Sequence, residues 1–174
     1  MEPLFAEPSP RTPEEPMAFT WWELTRGVIA ACLVFAIAAP ALALVVAVIS
    51  DPAHAGFSIY LIVAGWLLGI VPTTALAGFA LAPVAKRIGR ALRHRRSLWP
   101  HLLSYFALGA AASLIGGAIV GLLIGATSWS GDAVMGAGFV IPLAALLAPV
   151  AGASAATGWL ITARRALRDD RTIA

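Results

Sequence analysis

The chain has 174 residues, of which 60% are hydrophobic and only 12% are charged, and its mean hydropathy is +0.86. Soluble globular domains carry about 25% charged residues. The composition therefore excludes an ordinary soluble domain and indicates an integral membrane protein. The net charge of +3 does not indicate nucleic-acid binding, because the basic segments are short and no folded reading domain accompanies them.

Residues 1–20 are rich in proline and glutamate and contain little that a folded core would bury. This pattern predicts a disordered tail. Trp21 and Trp22 follow directly, and two adjacent indoles before an apolar run are typical of the level of the lipid headgroups.

Four long apolar runs then follow, at about residues 27–50, 57–82, 102–127 and 133–163, within a predicted transmembrane domain over residues 21–168. A helix of about 20 residues crosses a hydrocarbon core of about 30 Å. The runs are apolar around their whole circumference, which disfavours a soluble helical core. The predicted fold is all-α, a polytopic bundle of four transmembrane helices.

A short repeated motif suggests the hypothesis that this bundle consists of two tandem helical hairpins. The tetrapeptide Arg-Ala-Leu-Arg occurs at residues 90–93, after the second run, and again at residues 165–168, after the fourth run. A parallel repeat of two-helix units would produce this arrangement.

The segment 83–100, between the second and third runs, is predicted to be a basic loop. Pro83 suits the first residue of a new helical turn. The segment carries six basic residues, which are candidates for binding anionic lipid headgroups: Lys86, Arg87, Arg90, Arg93, Arg95 and Arg96. The simpler interpretation, which we favour, is a signal that only fixes the membrane topology.

All twelve Lys and Arg residues fall before the first run, between the second and third, or after the fourth, where residues 169–174 form a short tail. The other two connections contain none. By the positive-inside rule, this asymmetry predicts a multi-pass plasma-membrane protein with both termini in the cytoplasm. The Ala-, Gly- and Arg-rich composition favours a bacterial inner membrane.

Small residues recur at every fourth position of the third run and predict a helix-packing interface formed by Gly109, Ser113, Gly117, Gly121 and Gly125. Such a groove lets two helix backbones approach closely in lipid. Two partners remain open: a helix of the same bundle, which we favour, or another membrane protein or a second copy of this chain.

Prolines interrupt three of the four runs, at Pro40, Pro72, Pro142 and Pro149. Each frees a backbone carbonyl that needs another donor. Pro72 with Thr73 and Thr74 is therefore the candidate polar core, and a kink with local hydroxyl bonding is the favoured interpretation.

Residues for catalysis, metal binding or cofactor binding are not predicted. The interiors of the four runs lack ionisable side chains, which disfavours ion-coupled transport. His54, His94 and His101 lie outside the middle of the membrane, and the single Cys32 excludes paired-cysteine chemistry. Asp51 and Asp132, on the outer loops, leave only a residual hypothesis of a hydrolase.

The expected function is a non-enzymatic membrane subunit or assembly protein that associates through small-residue helix faces with other membrane proteins or with itself. The alternative is a permease or pore for a small neutral or lipidic solute, with the proline-broken helices along its route.

Overall fold

The computed structural model describes residues 10–50, 52–127 and 133–173, and all regular structure in these residues is helical. The elements are α1 (Trp21–Ser50), a 3₁₀ turn (Pro52–His54), α2 (Ala55–Gly65), a π-helical turn (Trp66–Ile70), α3 (Val71–Leu92), α4 (Leu98–Thr127) and α5 (Ala133–Ile173). Four stretches are long and apolar enough to cross a membrane: Trp21–Ser50, Ile62–Leu92, Leu98–Ile124 and Val140–Asp170. The predicted all-α fold is confirmed, with four helices that are long and apolar enough to span a membrane.

The second span is composite, because a π-helical turn separates α2 from α3. The Val71 N–H donates to the Trp66 carbonyl, five residues earlier. Pro72 follows at once, and a proline donates no backbone hydrogen bond and crowds the preceding turn. The wider turn therefore lies where a regular α-helical ladder would be interrupted in any case.

Two helices continue beyond the apolar runs. Helix α3 passes through Pro83 and ends at Leu92, so Pro83 does not begin a new helix and the predicted loop 83–100 shrinks to residues 93–97. Helix α5 likewise continues to Ile173. The apolar runs mark where lipid is expected, whereas a helix can continue into water because lysine and arginine are good helix formers.

Residues 10–20, predicted as part of a disordered tail, lie against the bundle. They contact the end of the bundle where α1 and α4 begin and α3 and α5 end, which we call the basic end. Met17 is buried, and its N–H donates to the Arg93 carbonyl at 3.2 Å. Arg11 pairs with Glu23 of α1 and Asp170 of α5. Charge pairing thus holds residues 10–20 against the bundle, although their composition offers little to bury. Residues 1–9 lie outside the described part of the chain.

Helix α5 packs against both α4 and α1, and α1 packs in turn against α3. The contact between α4 and α5 is the most extensive of all. A Cβ atom on Gly109 would overlap the Ala151 carbonyl, and one on Gly152 would lie 2.8 Å from the Phe106 carbonyl oxygen. The two backbones therefore touch, which only small residues permit.

The contact between α1 and α5 follows the same principle. A Cβ atom on Gly158 would lie 2.7 Å from the Cβ of Ala31, and one on Gly27 would lie 2.8 Å from the Thr162 hydroxyl oxygen. The hairpin of α4 and α5 is packed far more extensively than that of α1 with α2 and α3. The hypothesis of a tandem repeat stays a prediction.

An indole in the second span donates to a backbone carbonyl that a proline in α1 leaves without a donor. Pro40 has no N–H, so it leaves the Ala36 carbonyl without its donor from the next helical turn. The indole Nε1–H of Trp66 donates to that carbonyl at 3.1 Å. The ring of Trp66 is buried and lies 5.6 Å from the ring of Phe35. This contact ties the second span to α1 away from the basic end.

We expect Gly117→Leu to destabilise the fold and Gly116→Leu to leave it nearly unchanged. A Cβ on Gly117 would collide with the Cβ of Ala144, whereas the space beside Gly116 holds no described atom within 4 Å. Overpacking a tight contact costs about 1–3 kcal/mol. Thermal unfolding of both variants in the same detergent measures the difference. Equal melting temperatures would contradict the close α4–α5 packing.

We expect Trp66→Phe to lower the free energy of unfolding by about 1 kcal/mol through the lost hydrogen bond, beyond its loss of packing. In a Pro40→Ala background the backbone N–H of residue 40 can serve the Ala36 carbonyl, so the same substitution should cost less. A double-mutant cycle by reversible unfolding measures this coupling. Additive effects of the two substitutions would show that the indole does not replace the missing donor.

Candidate functional site

The candidate site is a cavity of about 280 Å³ at the basic end, between the four spans and the segment that precedes α1. All four spans contribute to its walls. Its lining residues are Glu15, Ala18, Phe19, Thr20, Leu24, Gly27, Val28, Ala31, Gly78, Leu81, Ala85, Lys86, Gly89, Arg90, Arg93, Tyr105, Leu108, Gly109, Ala155, Trp159 and Thr162.

The walls of the cavity are mainly apolar, and small residues create its space. Gly109 and Ala155 come from the tight α4–α5 contact, and Gly27 comes from the α1–α5 contact. On the opposite side, Gly78 of α3 lies against Cys32 of α1. Small residues let α5 approach α1 and α4 closely and let α3 approach α1. Because these residues carry little side-chain volume, they also leave the space between the helices open.

An aromatic cluster borders the cavity on the side of α4 and α5. The ring of Trp159 stacks on His101 at 4.8 Å and on Tyr105 at 5.8 Å, and Phe19 meets it edge-on at 6.2 Å. The Tyr105 hydroxyl donates to the Ala85 carbonyl at 3.0 Å and so joins α4 to α3. Because this cluster ties three spans and the N-terminal segment together, it fixes the shape of the basic end.

Two ring nitrogens in this cluster have no hydrogen-bond partner within the described residues: Nε2 of His101 and Nε1 of Trp159. His101 is completely buried, and its Nδ1 lies 3.1 Å from the Ser97 carbonyl oxygen. This contact to a carbonyl oxygen requires a proton on Nδ1. The sequence placed His101 near the membrane surface without assigning it a role.

Three basic residues line the mouth of the cavity, and they differ in their partners. Arg93 pairs with Glu15 at 3.1 Å. The Lys86 ammonium group lies 4.9 Å from the centre of the Trp21 ring. Arg90 is exposed, and no carboxylate of the described residues lies within salt-bridge distance of it. The mouth therefore presents positive charge that the described chain compensates only in part.

Arg11 holds the N-terminal segment beside this mouth. Its guanidinium donates to Glu23, to Asp170 and to the Ala18 carbonyl. Burial lowers the pKa of Arg11, but the hydrogen bonds to Asp170 and Glu23 and their negative charges outweigh this effect and raise the pKa above its usual value. The arginine thus bridges two helices while it anchors the segment that carries Glu15 and Phe19.

The predicted helix-packing face lies against α5 where it can be followed. Gly109 and Gly117 touch α5 directly, and the Ser113 hydroxyl donates to the Ala144 carbonyl at 3.0 Å. Gly121 is buried, and the surroundings of Gly125 lie outside the described residues. On α5, Ala144 faces Gly117, and Ala144 and Ala148 are both buried. This groove is occupied within the chain.

The predicted polar core does not line the cavity. Pro72 and Thr73 are exposed, and Thr74 is half-buried. The Thr73 hydroxyl donates to the carbonyls of Gly69 and Ile70, at 2.9 and 3.0 Å. The hydroxyl therefore satisfies carbonyls of the π-helical turn in its own span.

The six basic residues predicted as lipid contacts divide into two sets. Lys86, Arg90 and Arg93 line the cavity, whereas Arg87, Arg95 and Arg96 are exposed and lie outside its lining. Only the three-dimensional packing makes this division, because all six belong to one short stretch of sequence.

Asp51 and Asp132 lie outside the described residues. Within the described part of the chain, no three His, Cys, Asp or Glu side chains come together as a metal site would require. The chain matches no protein-family model, no curated protein and no solved structure.

Proposed function

We propose that the protein is a non-enzymatic integral membrane subunit that assembles with a second copy of itself or with other membrane proteins through an exposed small-residue face of the second span. One observation carries this proposal. Gly65 and Gly69 lie four residues apart, both are exposed, and a Cβ on either would meet no described atom within 4 Å. The helix thus presents a shallow notch on its outer surface.

The proposed interface lies on the second span because α5 already fills the longer groove on α4. The second span has few neighbours by comparison: α2 contacts α1, and the described contacts between α3 and α4 are sparse. Glycine inside a helix costs about 1 kcal/mol relative to alanine. A close approach by a partner helix would compensate for that cost in lipid, where small residues promote association.

Other residues of the same span are also apolar and exposed, including Leu67, Leu68 and Leu76. In a bilayer these side chains face hydrocarbon, and van der Waals contact with a partner helix replaces contact with lipid tails. The π-helical turn at Trp66–Ile70 includes Gly69 and leads directly to Pro72. A local widening of this kind often accompanies a functional surface.

The alternative function, a permease or pore along the proline-broken helices, gains no support from the geometry. Pro72, Pro142 and Pro149 are exposed, and none of them lines the cavity. The Thr73 hydroxyl bonds within its own helix. A route for a solute would need these groups to face a shared interior space.

We expect the double variant Gly65→Leu with Gly69→Leu to weaken association by at least tenfold while the protein still inserts and folds. The bulky side chains would fill the notch and hold a partner backbone away. Energy transfer between labelled copies in vesicles measures self-association, and the stoichiometry of co-purified membrane proteins measures association with others.

Gly116→Leu is the matched control, because it adds the same side chain to another open helix position. It should leave both measurements unchanged. Unchanged association of the double variant in both assays would exclude this face as the interface.

We further propose a bacterial plasma-membrane location with both termini and residues 93–97 in the cytoplasm. All the Lys and Arg residues lie on the side of the membrane that this topology places inside. The basic surface would then face the anionic inner leaflet.

We expect Ser97→Cys to be labelled only from the cytoplasmic side and His54→Cys only from the outside, each in a Cys32→Ala background. A membrane-impermeant maleimide on intact cells, compared with inverted vesicles, reads out both positions. Labelling of residue 97 on intact cells would overturn the orientation.

A further inference from the structure

The cavity at the basic end combines an apolar interior with a cationic mouth. We propose that it binds one acyl chain of an anionic phospholipid, whose phosphate lies against Arg90 and Lys86 at the mouth. This inference does not rest on the proposed assembly through Gly65 and Gly69, which lie outside the cavity lining.

The size and direction of the cavity fit a hydrocarbon chain. Along α3 its lining runs from Arg90 to Gly78, which is about 18 Å at 1.5 Å per residue. Its volume of about 280 Å³ lies just below the range of about 300–1,000 Å³ that is typical of small-molecule sites. The cavity therefore has room for a segment of one chain, while the rest of the lipid stays in the surrounding bilayer.

The chemistry of the interior excludes a strongly polar occupant. The deep lining contains Ala31, Leu81, Leu108 and Ala155. The hydroxyl that α5 contributes to the lining, that of Thr162, already donates to the Gly158 carbonyl at 3.1 Å. A charged or sugar-like ligand would lose its hydration there without gaining hydrogen bonds. A hydrocarbon chain has no such requirement.

The charges at the mouth favour an anionic headgroup. Glu15 compensates Arg93, so Arg90 and Lys86 retain positive charge at the level where the lining changes from apolar to polar. Trp21, under the Lys86 ammonium, is an amphipathic ring of the kind that prefers the headgroup level. A phosphate group on a glycerol backbone matches both the charge and the depth.

The contact that closes α3 onto α4 lies beside this mouth rather than across the whole cavity. The Tyr105 hydroxyl bonds the Ala85 carbonyl, and a Cβ on Gly89 would lie 3.2 Å from the same hydroxyl oxygen. Toward the middle of the membrane, Leu81 and Leu108 face the cavity from these two helices. A chain that enters between α3 and α4 would therefore follow the cavity away from the basic end.

The test uses the full chain, purified in a neutral detergent and examined by native mass spectrometry with added lipid. Phosphatidylglycerol and phosphatidylcholine with identical chains are the two probes, and inorganic phosphate serves as the competitor. We expect one phosphatidylglycerol to be retained, with phosphatidylcholine bound more weakly and phosphate unable to displace the lipid.

Two matched variants test the role of the mouth. Arg90→Gln should weaken retention of phosphatidylglycerol by about fivefold, as expected for one basic residue near a lipid surface. Arg95→Gln removes the same charge five residues later, in the connection between α3 and α4 and outside the cavity lining, and it should leave retention unchanged. Equal losses in both variants would mean that general surface charge binds the lipid, which would overturn the proposal.

A third variant tests the interior. Leu81→Trp should fill part of the cavity and reduce retention of both phospholipids, while Arg90 and Lys86 remain in place. Its melting temperature shows whether it is folded; if it is not, Leu81→Phe serves as the milder cavity-filling replacement. Full retention of phosphatidylglycerol by a folded cavity-filling variant, or its displacement by inorganic phosphate, would show that only the headgroup is bound and would refute the chain-binding cavity.

Discussion

The close approach of α5 to both α1 and α4 is the constraint on which the rest of the structure depends. Gly27 and Gly158 bring α1 against α5, and Gly109 and Gly152 bring α4 against α5. Association of apolar helices in lipid gains little from the hydrophobic effect, so shape and backbone contact carry much of the energy. Larger side chains at these crossings would separate the helices and move every contact that depends on their spacing.

Proline adds a second constraint, because backbone groups in a hydrocarbon core need partners within the protein. Two side chains donate to backbone carbonyls near these prolines. The indole of Trp66 reaches across to the Ala36 carbonyl that Pro40 leaves without a donor, and the Thr73 hydroxyl serves two carbonyls beside Pro72. The indole contact also joins two spans, whereas the hydroxyl contact stays within the second span and leaves its surface open.

The cavity and the exposed face of the second span both follow from the way in which the helices pair. Because α5 occupies the groove of α4, the second span is left with α1 as its principal neighbour away from the basic end. At the basic end, the Tyr105 hydroxyl and the Arg11 bridge close the bundle over an apolar space. One side of the molecule is thereby suited to contact with another helix, and its basic end is suited to contact with an anionic amphiphile.

The sequence by itself determined the number of spans, because length and apolarity suffice to predict a helix that must satisfy its own backbone in lipid. It also identified the small-residue face of α4 through its spacing. Tertiary structure alone decided which helix fills that face, which of the clustered basic residues reach the cavity, and that residues 10–20 pack on the basic end through Arg11. The physical reason is that periodicity describes one helix at a time, whereas these features depend on side chains far apart in sequence that meet only when the helices pack.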